Sequence, residues 1–265
     1  MHATAGAAGR IEATFAKRTA FVPFLSSGYP GPRDTPRLLM QLAQAGADVI
    51  ELGLPFSDPL ADGPAIQTAS ARALDQGVTA ASALDQLAEV APELPPIVIF
   101  TYLNPVLRMG PEKFVEKAAE AGAAGLLLTD LPVGADPGLA ARLGGGGLDL
   151  IPLAAPTTSD ARLKTIADSA RGFLYYIART GVTGSRTDVD AELSSRVTQL
   201  RGMLNLPVAV GFGIATPDQA RTLASVADGV VVGTALIEAL GTSEAAFREL
   251  AEALAEAVRA NEKQH

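Results

Sequence analysis

The chain has 265 residues, 48% hydrophobic and 19% charged, with a formal net charge of −8. That balance gives a globular chain with a sizeable core and excludes a basic stripe for nucleic acid or an anionic membrane. Cys and Trp are absent and the two histidines are His2 and His265, which excludes disulfides, thiolate nucleophiles, interior His triads and Cys- or His-ligated metals.

The N-terminal stretch has no apolar segment of signal-peptide type, and no apolar run reaches the roughly 18 residues of a membrane span, so a soluble, cytoplasmic protein is expected. A leader helix is expected near Gly9–Arg18. Short apolar runs then alternate with amphipathic segments. Strand Phe21–Ser26 precedes helix Thr35–Ala45, and Val49–Leu54 precedes Ala65–Gln76, read as continuing through Ala80–Val90. Next come Ile97–Tyr102 with Pro111–Ala121, and Gly125–Leu131 with Pro137–Leu143. The run Gly144–Gly147 is a flexible connection without chemistry. Leu148–Leu153 with Ser159–Ala170 and Phe173–Ala178 with Ala191–Met203 follow. Pro207–Gly211 with Pro217–Ala224, and Gly229–Val232 with Ser243–Ala260, complete the series.

Runs such as VVVG and IVIFTY are apolar throughout rather than alternating, as in parallel strands covered on both faces. Eight strand-then-helix units give the expected fold: α/β, a (β/α)8 TIM barrel with an N-terminal leader helix, one domain over residues 1–265. A doubly wound sheet is the rival, but SSGYPGP after the first strand is not a dinucleotide loop.

Such barrels carry chemistry at the C-terminal ends of their strands. Glu51 lies among Ile50, Leu52 and Leu54, where desolvation disfavours its charge. It is either a group that donates and accepts a proton near neutral pH or a buried carboxylate in a structural network. The loop after it holds Asp58-Pro59 and Asp62-Gly63-Pro64, so Asp62 is either presented at the mouth or bonded to its own turn. The glycines of Gly211-Phe212-Gly213 and of Gly229 to Gly233, with a short helix starting near Thr234, suit a phosphate cradle, although tight turns also favour Gly. The polar stretch from Arg179 to Ala191 is a lid or a surface loop. Tyr102 and Tyr175 line a pocket or belong to the core. No lysine stands at a strand end, so Schiff-base chemistry is not expected. The residues alone lead to a phosphorylated small molecule and acid–base catalysis.

IELGLPFSDPLADGPAIQ at 50–67 closely resembles the signature of the tryptophan synthase α chain family, and FVPFLSSGYP at 21–30, TYLNPV at 101–106, ARTGVTG at 178–184 and VGFGIATPDQ at 210–219 match in order. The resemblance implies retro-aldol cleavage of indole-3-glycerol phosphate to indole and glyceraldehyde 3-phosphate. It implies Glu51 as acid–base catalyst, Asp62 as stabiliser of charge at the indole N–H, and Tyr175 beside the glycerol chain. Phosphate would be held around Gly184, Gly213, Gly233 and Thr234. The indole slot would use Phe24, Phe100, Tyr102, Leu127, Thr129, Leu153 and Phe212. Thr183, with Arg179 in the same lid, would close on Asp62. Asp58 would face a β-chain partner in an α2β2 heterotetramer; that partner alone would carry pyridoxal phosphate, and this chain no cofactor or metal. Two other readings remain, a phosphate-binding barrel isomerase or epimerase and a catalytically silent activator of a β chain.

Overall fold

The computed structural model describes residues 9–178, 191–211 and 213–260. Its strands are β1 (Ala20–Ser26), β2 (Ile50–Gly53), β3 (Ile97–Thr101), β4 (Gly125–Leu128), β5 (Asp149–Leu150), β6 (Leu153–Ala154), β7 (Leu174–Ile177), β8 (Val208–Gly211) and β9 (Gly229–Val232). They form one curled, all-parallel sheet in the order β5-β4-β3-β2-β1-β9-β8-β7-β6.

The two ends of this sheet, β5 and β6, are consecutive in the chain and separated only by Ile151 and Pro152. The ladder runs on through them: the Ile151 N–H bonds the Leu126 carbonyl and the Tyr175 N–H bonds the Pro152 carbonyl, each at 2.9 Å. The strand expected at Leu148–Leu153 is therefore one stave of the barrel, split where Pro152 has no N–H to give.

Alternate residues face the lumen. Val22, Val49, Val98, Leu127, Ile151, Ala209 and Val231 fill it, with Ile11 and Phe15 of the leader helix (Arg10–Phe15) and Phe173 packed into the same cluster. Phe15 and Phe173 have ring centroids 5.0 Å apart. The other faces of the strands carry Phe21, Leu25, Ile50, Leu52, Ile99 and Leu126, which pack with helix residues such as Leu38, Leu42 and Leu254 in a second, larger cluster. Both faces are thus covered, which explains the uninterrupted apolar runs.

Two strand starts are pinned in the same way. The Asp48 carboxylate accepts the Phe21 N–H at 2.9 Å and pairs with Arg18 at 2.6 Å; the Asp228 carboxylate accepts the Val208 N–H at 3.0 Å and pairs with Arg201 at 2.6 Å. Each serves a buried backbone donor that would otherwise cost on the order of 1–3 kcal/mol.

Two expectations about helices are corrected. The segment read as continuous from Ala65 to Val90 is two helices, Pro64–Asp75 and Ala80–Ala88. Gly77 takes φ +80°, and the hydroxyl of Thr79 caps the second helix by accepting the Ser82 N–H. A helix at Leu103–Met109 was not anticipated; Asp130 supports its start by accepting the Leu103 N–H at 2.7 Å. Among the described residues no helix is long and apolar enough to cross a membrane.

Candidate active site

The register of β1, β2 and β3 sets Glu51 beside Phe24 and Val98, all on inward positions. Glu51 is 1% exposed and its Oε1 has no hydrogen-bond partner among the described residues. Burial pushes its carboxyl up to about 8 from an ordinary 4.5. At neutral pH it holds a proton, ready to give.

The surroundings are shaped by missing side chains. A Cβ on Gly53 would lie 2.4 Å from Phe24 Cζ, so glycine is what lets the Phe24 ring reach over β2. Phe24 meets Phe100 edge-on, centroids 5.3 Å apart at 80°. A Cβ on Gly211 would lie 2.6 Å from Tyr175 Oη and 2.9 Å from Val231 Cβ. Burial raises the Tyr175 hydroxyl well above its ordinary range, and the negative charges of Glu51 and Asp62 raise it further. Gly211→Ala is expected to displace the Tyr175 ring and cost about 1–3 kcal/mol of stability, measured by urea unfolding, along with a loss of turnover.

Asp62 arrives on the loop after β2. Phe56 is clamped there at both backbone groups by Ser70: its N–H is accepted by the Ser70 hydroxyl at 2.8 Å, and its carbonyl accepts that hydroxyl at 2.9 Å. The Phe56 ring stacks on Tyr102 with centroids 5.0 Å apart. The Tyr102 hydroxyl accepts the Ala61 N–H and donates to Asp62 Oδ2, both at 3.0 Å. Burial raises the Asp62 carboxyl above its usual range and the Tyr102 hydrogen bond pulls it partly back. Tyr102, expected as a slot wall, thus also anchors Asp62.

At the other side of the mouth, Gly233 caps the helix Thr234–Thr242. Its carbonyl accepts the Leu236 N–H at 3.0 Å, so the Thr234 and Ala235 N–H groups precede the first helical bond and mark the anion-favouring end. A Cβ on Gly63 would sit 4.0 Å from Thr234 Oγ1, which places this helix start beside the Asp62 loop. Gly213 has φ +77°, and among the described residues no atom beyond its chain neighbours lies within 4 Å of where a Cβ would stand.

Of the expected slot residues, Phe24, Phe100, Leu127 and Leu153 occupy inward positions, and Thr129 follows β4 with its N–H on the Thr101 carbonyl at 3.1 Å. Asp58 is exposed on the β2 loop. Arg179, Thr183, Gly184 and Phe212, and with them the stretch read as a lid, lie outside the described residues. Sequence reasoning missed Ser70, Phe56 and Gly53, and read Gly211 as part of a phosphate cradle where its lack of a side chain makes room for Tyr175; for the two glycines, an inward register position near a strand's C-terminal end was the available signal.

Among the described residues, no group of three or more His, Asp or Glu could hold a metal ion. A separate hollow of about 330 Å³ lies at the N-terminal end of the barrel, lined in part by Glu12, Phe15 and the paired Arg201 and Asp228.

The sequence matches the family described as tryptophan synthase alpha chain over residues 12–265. The tryptophan synthase alpha chain of Gloeobacter violaceus is 48% identical over 242 residues, 89% of this chain and 88% of that protein. The crystal structure of tryptophan synthase subunit alpha from Legionella pneumophila superposes with a TM-score of 0.86 at 35% identity, covering 95% of this chain and 98% of that one. Tryptophan synthase from M. tuberculosis in its aminoacrylate-bound form gives 0.85 at 32% identity, covering 94% and 99%. With a third to a half of its residues shared along most of its length, and with the same barrel, the chain belongs to the tryptophan synthase alpha chain family.

Proposed function

We propose that the mouth of this barrel cleaves indole-3-glycerol phosphate to indole and glyceraldehyde 3-phosphate, the lyase half-reaction of its family, with Glu51 moving the proton. Support comes foremost from one observation: a carboxyl buried among apolar groups, with burial holding its proton at neutral pH, at the end of the barrel where Asp62 is presented.

Glu51 gives its proton to indole C3. Positive charge then builds toward the ring N–H, which the Asp62 carboxylate balances. The bond from C3 to the glycerol carbon breaks, its electron pair restoring the indole. The 3'-hydroxyl proton passes to Glu51, and its oxygen becomes the aldehyde oxygen. Glu51 ends protonated, as it began. The ring is the electron sink, and Tyr175 lies beside the glycerol chain. Gly213, Gly233 and Thr234, with Gly184, hold the phosphate. Phe24, Phe100, Tyr102, Leu127, Thr129 and Leu153 enclose the indole; the family resemblance adds Phe212 to the slot and Thr183 and Arg179 to a lid, all three outside the described residues.

The partner in this reading is a tryptophan synthase β chain, in an α2β2 assembly, that receives the indole and alone carries pyridoxal phosphate. Leu60, 91% exposed on the loop that bears Asp58, and Leu107, 50% exposed after β3, offer apolar surface near the mouth for such a contact. The reading places the protein in the cytoplasm. Purified chain incubated with indole-3-glycerol phosphate should release indole, and more when a β chain is added. No release under either condition would refute the assignment.

A further inference from the structure

The helix Pro64–Asp75 is fixed to the barrel by its apolar side. Its Ala69 is fully buried and shares one cluster with Phe24 of β1 and Ile237 of the helix Thr234–Thr242. The next residue, Ser70, is 5% exposed, and its hydroxyl accepts the Phe56 N–H at 2.8 Å while donating to the Phe56 carbonyl at 2.9 Å. A hydroxyl can take both parts at one atom. From Phe56 the hold passes on: its ring stacks on Tyr102, centroids 5.0 Å apart at 32°. The Tyr102 hydroxyl in turn donates to Asp62 Oδ2 at 3.0 Å.

The same helix also reaches Asp62 directly, through Gln67 Nε2 on the Asp62 carbonyl at 2.9 Å. Gln67 is exposed, so water competes for that bond and little is lost without it. Loss of the Ser70 clamp instead strands both an N–H and a carbonyl at a part-buried place. Ser70 is the stronger anchor of the two.

We propose that Ser70 is a positioning residue for the cleavage: by clamping Phe56 it seats that ring on Tyr102, and so holds the Tyr102 hydroxyl and the Asp62 carboxylate in place. The inference rests on the function proposed above, in which Asp62 balances charge on the indole N–H.

The test is a double-mutant cycle on the full-length chain, read as the single-turnover rate of indole release at saturating indole-3-glycerol phosphate. Ser70→Ala should lower that rate by about 10-fold, within what a small misplacement of a catalytic group costs, and change KM by less than about twofold. In an Asp62→Asn background the same substitution should cost less than about twofold, because the charge that Ser70 positions is already gone. A serine that merely supports the fold would cost the same factor in both backgrounds. Phe56→Leu, which keeps the backbone clamp and removes the stacked ring, should show the same dependence on Asp62 and serves if Ser70→Ala does not fold. An active wild type with equal losses in both backgrounds, or a folded Ser70→Ala within about twofold of wild type, overturns the inference alone. A wild type that releases no indole overturns it together with the proposed function.

Discussion

Replacing Glu51 by Gln should lower kcat for indole release by about 10²- to 10⁴-fold, the range that a positioned general acid–base group supplies. Gln keeps the shape and loses the proton, so the loss belongs to chemistry and KM should change little. The same substitution alters stability with a definite sign. Below the ordinary carboxyl pKa of 4.5, Glu51 is protonated in folded and unfolded chains alike. Between 4.5 and about 8 the unfolded chain gives up a proton that the folded chain keeps, so wild-type stability falls as pH rises. Above about 8 the fold must bear a buried charge, and the accumulated loss is at most about 5 kcal/mol. Glu51→Gln has no such group, so its stability relative to wild type should climb across that window in urea titrations at fixed pH values. Substantial residual turnover, or a difference in stability that does not change with pH, would contradict the role given to Glu51.

Asp62→Asn should lower kcat/KM by about 10²-fold or more, comparable to removing one preorganised charge-stabilising group elsewhere. The amide fits the same space, and its oxygen still accepts from the Tyr102 hydroxyl, so the fold and loop should persist. What is lost is the negative charge opposite the ring N–H. The variant's rate should therefore not respond to this ionisation, whereas wild type gains activity as pH rises through the Asp62 pKa, so the defect is full above that pKa and shrinks below it. Single-turnover measurements with bound substrate check this. An asparagine variant with wild-type single-turnover rates would remove Asp62 from the chemistry.

The units of the barrel were legible because each stave is covered on both faces, which leaves an apolar run that polar loops punctuate. The break at Pro152 was hidden by that same logic. LDLIPLAA reads as one run, and only the ladder shows that proline interrupts the hydrogen bonds and not the path. The join at Gly77–Thr79 was misread because apolar residues continue on both sides of it, while the turn depends on a positive φ and a hydroxyl cap. Leu103–Met109 is too short to show a period, and its start is held by Asp130 from another loop.

The site divides in the same way. Glu51 stood out because a carboxylate inside an apolar strand is costly unless neutral. The link from Tyr102 to Asp62 spans 40 residues and depends on the β2 loop folding back over the end of β3, so spacing carried no trace of it. Gly53 and Gly211 act by what they lack, which is visible only when Phe24 and Tyr175 are seen filling the space.

Everything turns on whether Glu51 carries its proton at neutral pH. An infrared titration of the full-length chain, with Glu51→Gln subtracted, isolates its carboxylic acid stretch. That band should be present at pH 7 and vanish with a midpoint of about 8. A midpoint between 4 and 5, the range of an exposed glutamate, would contradict the account.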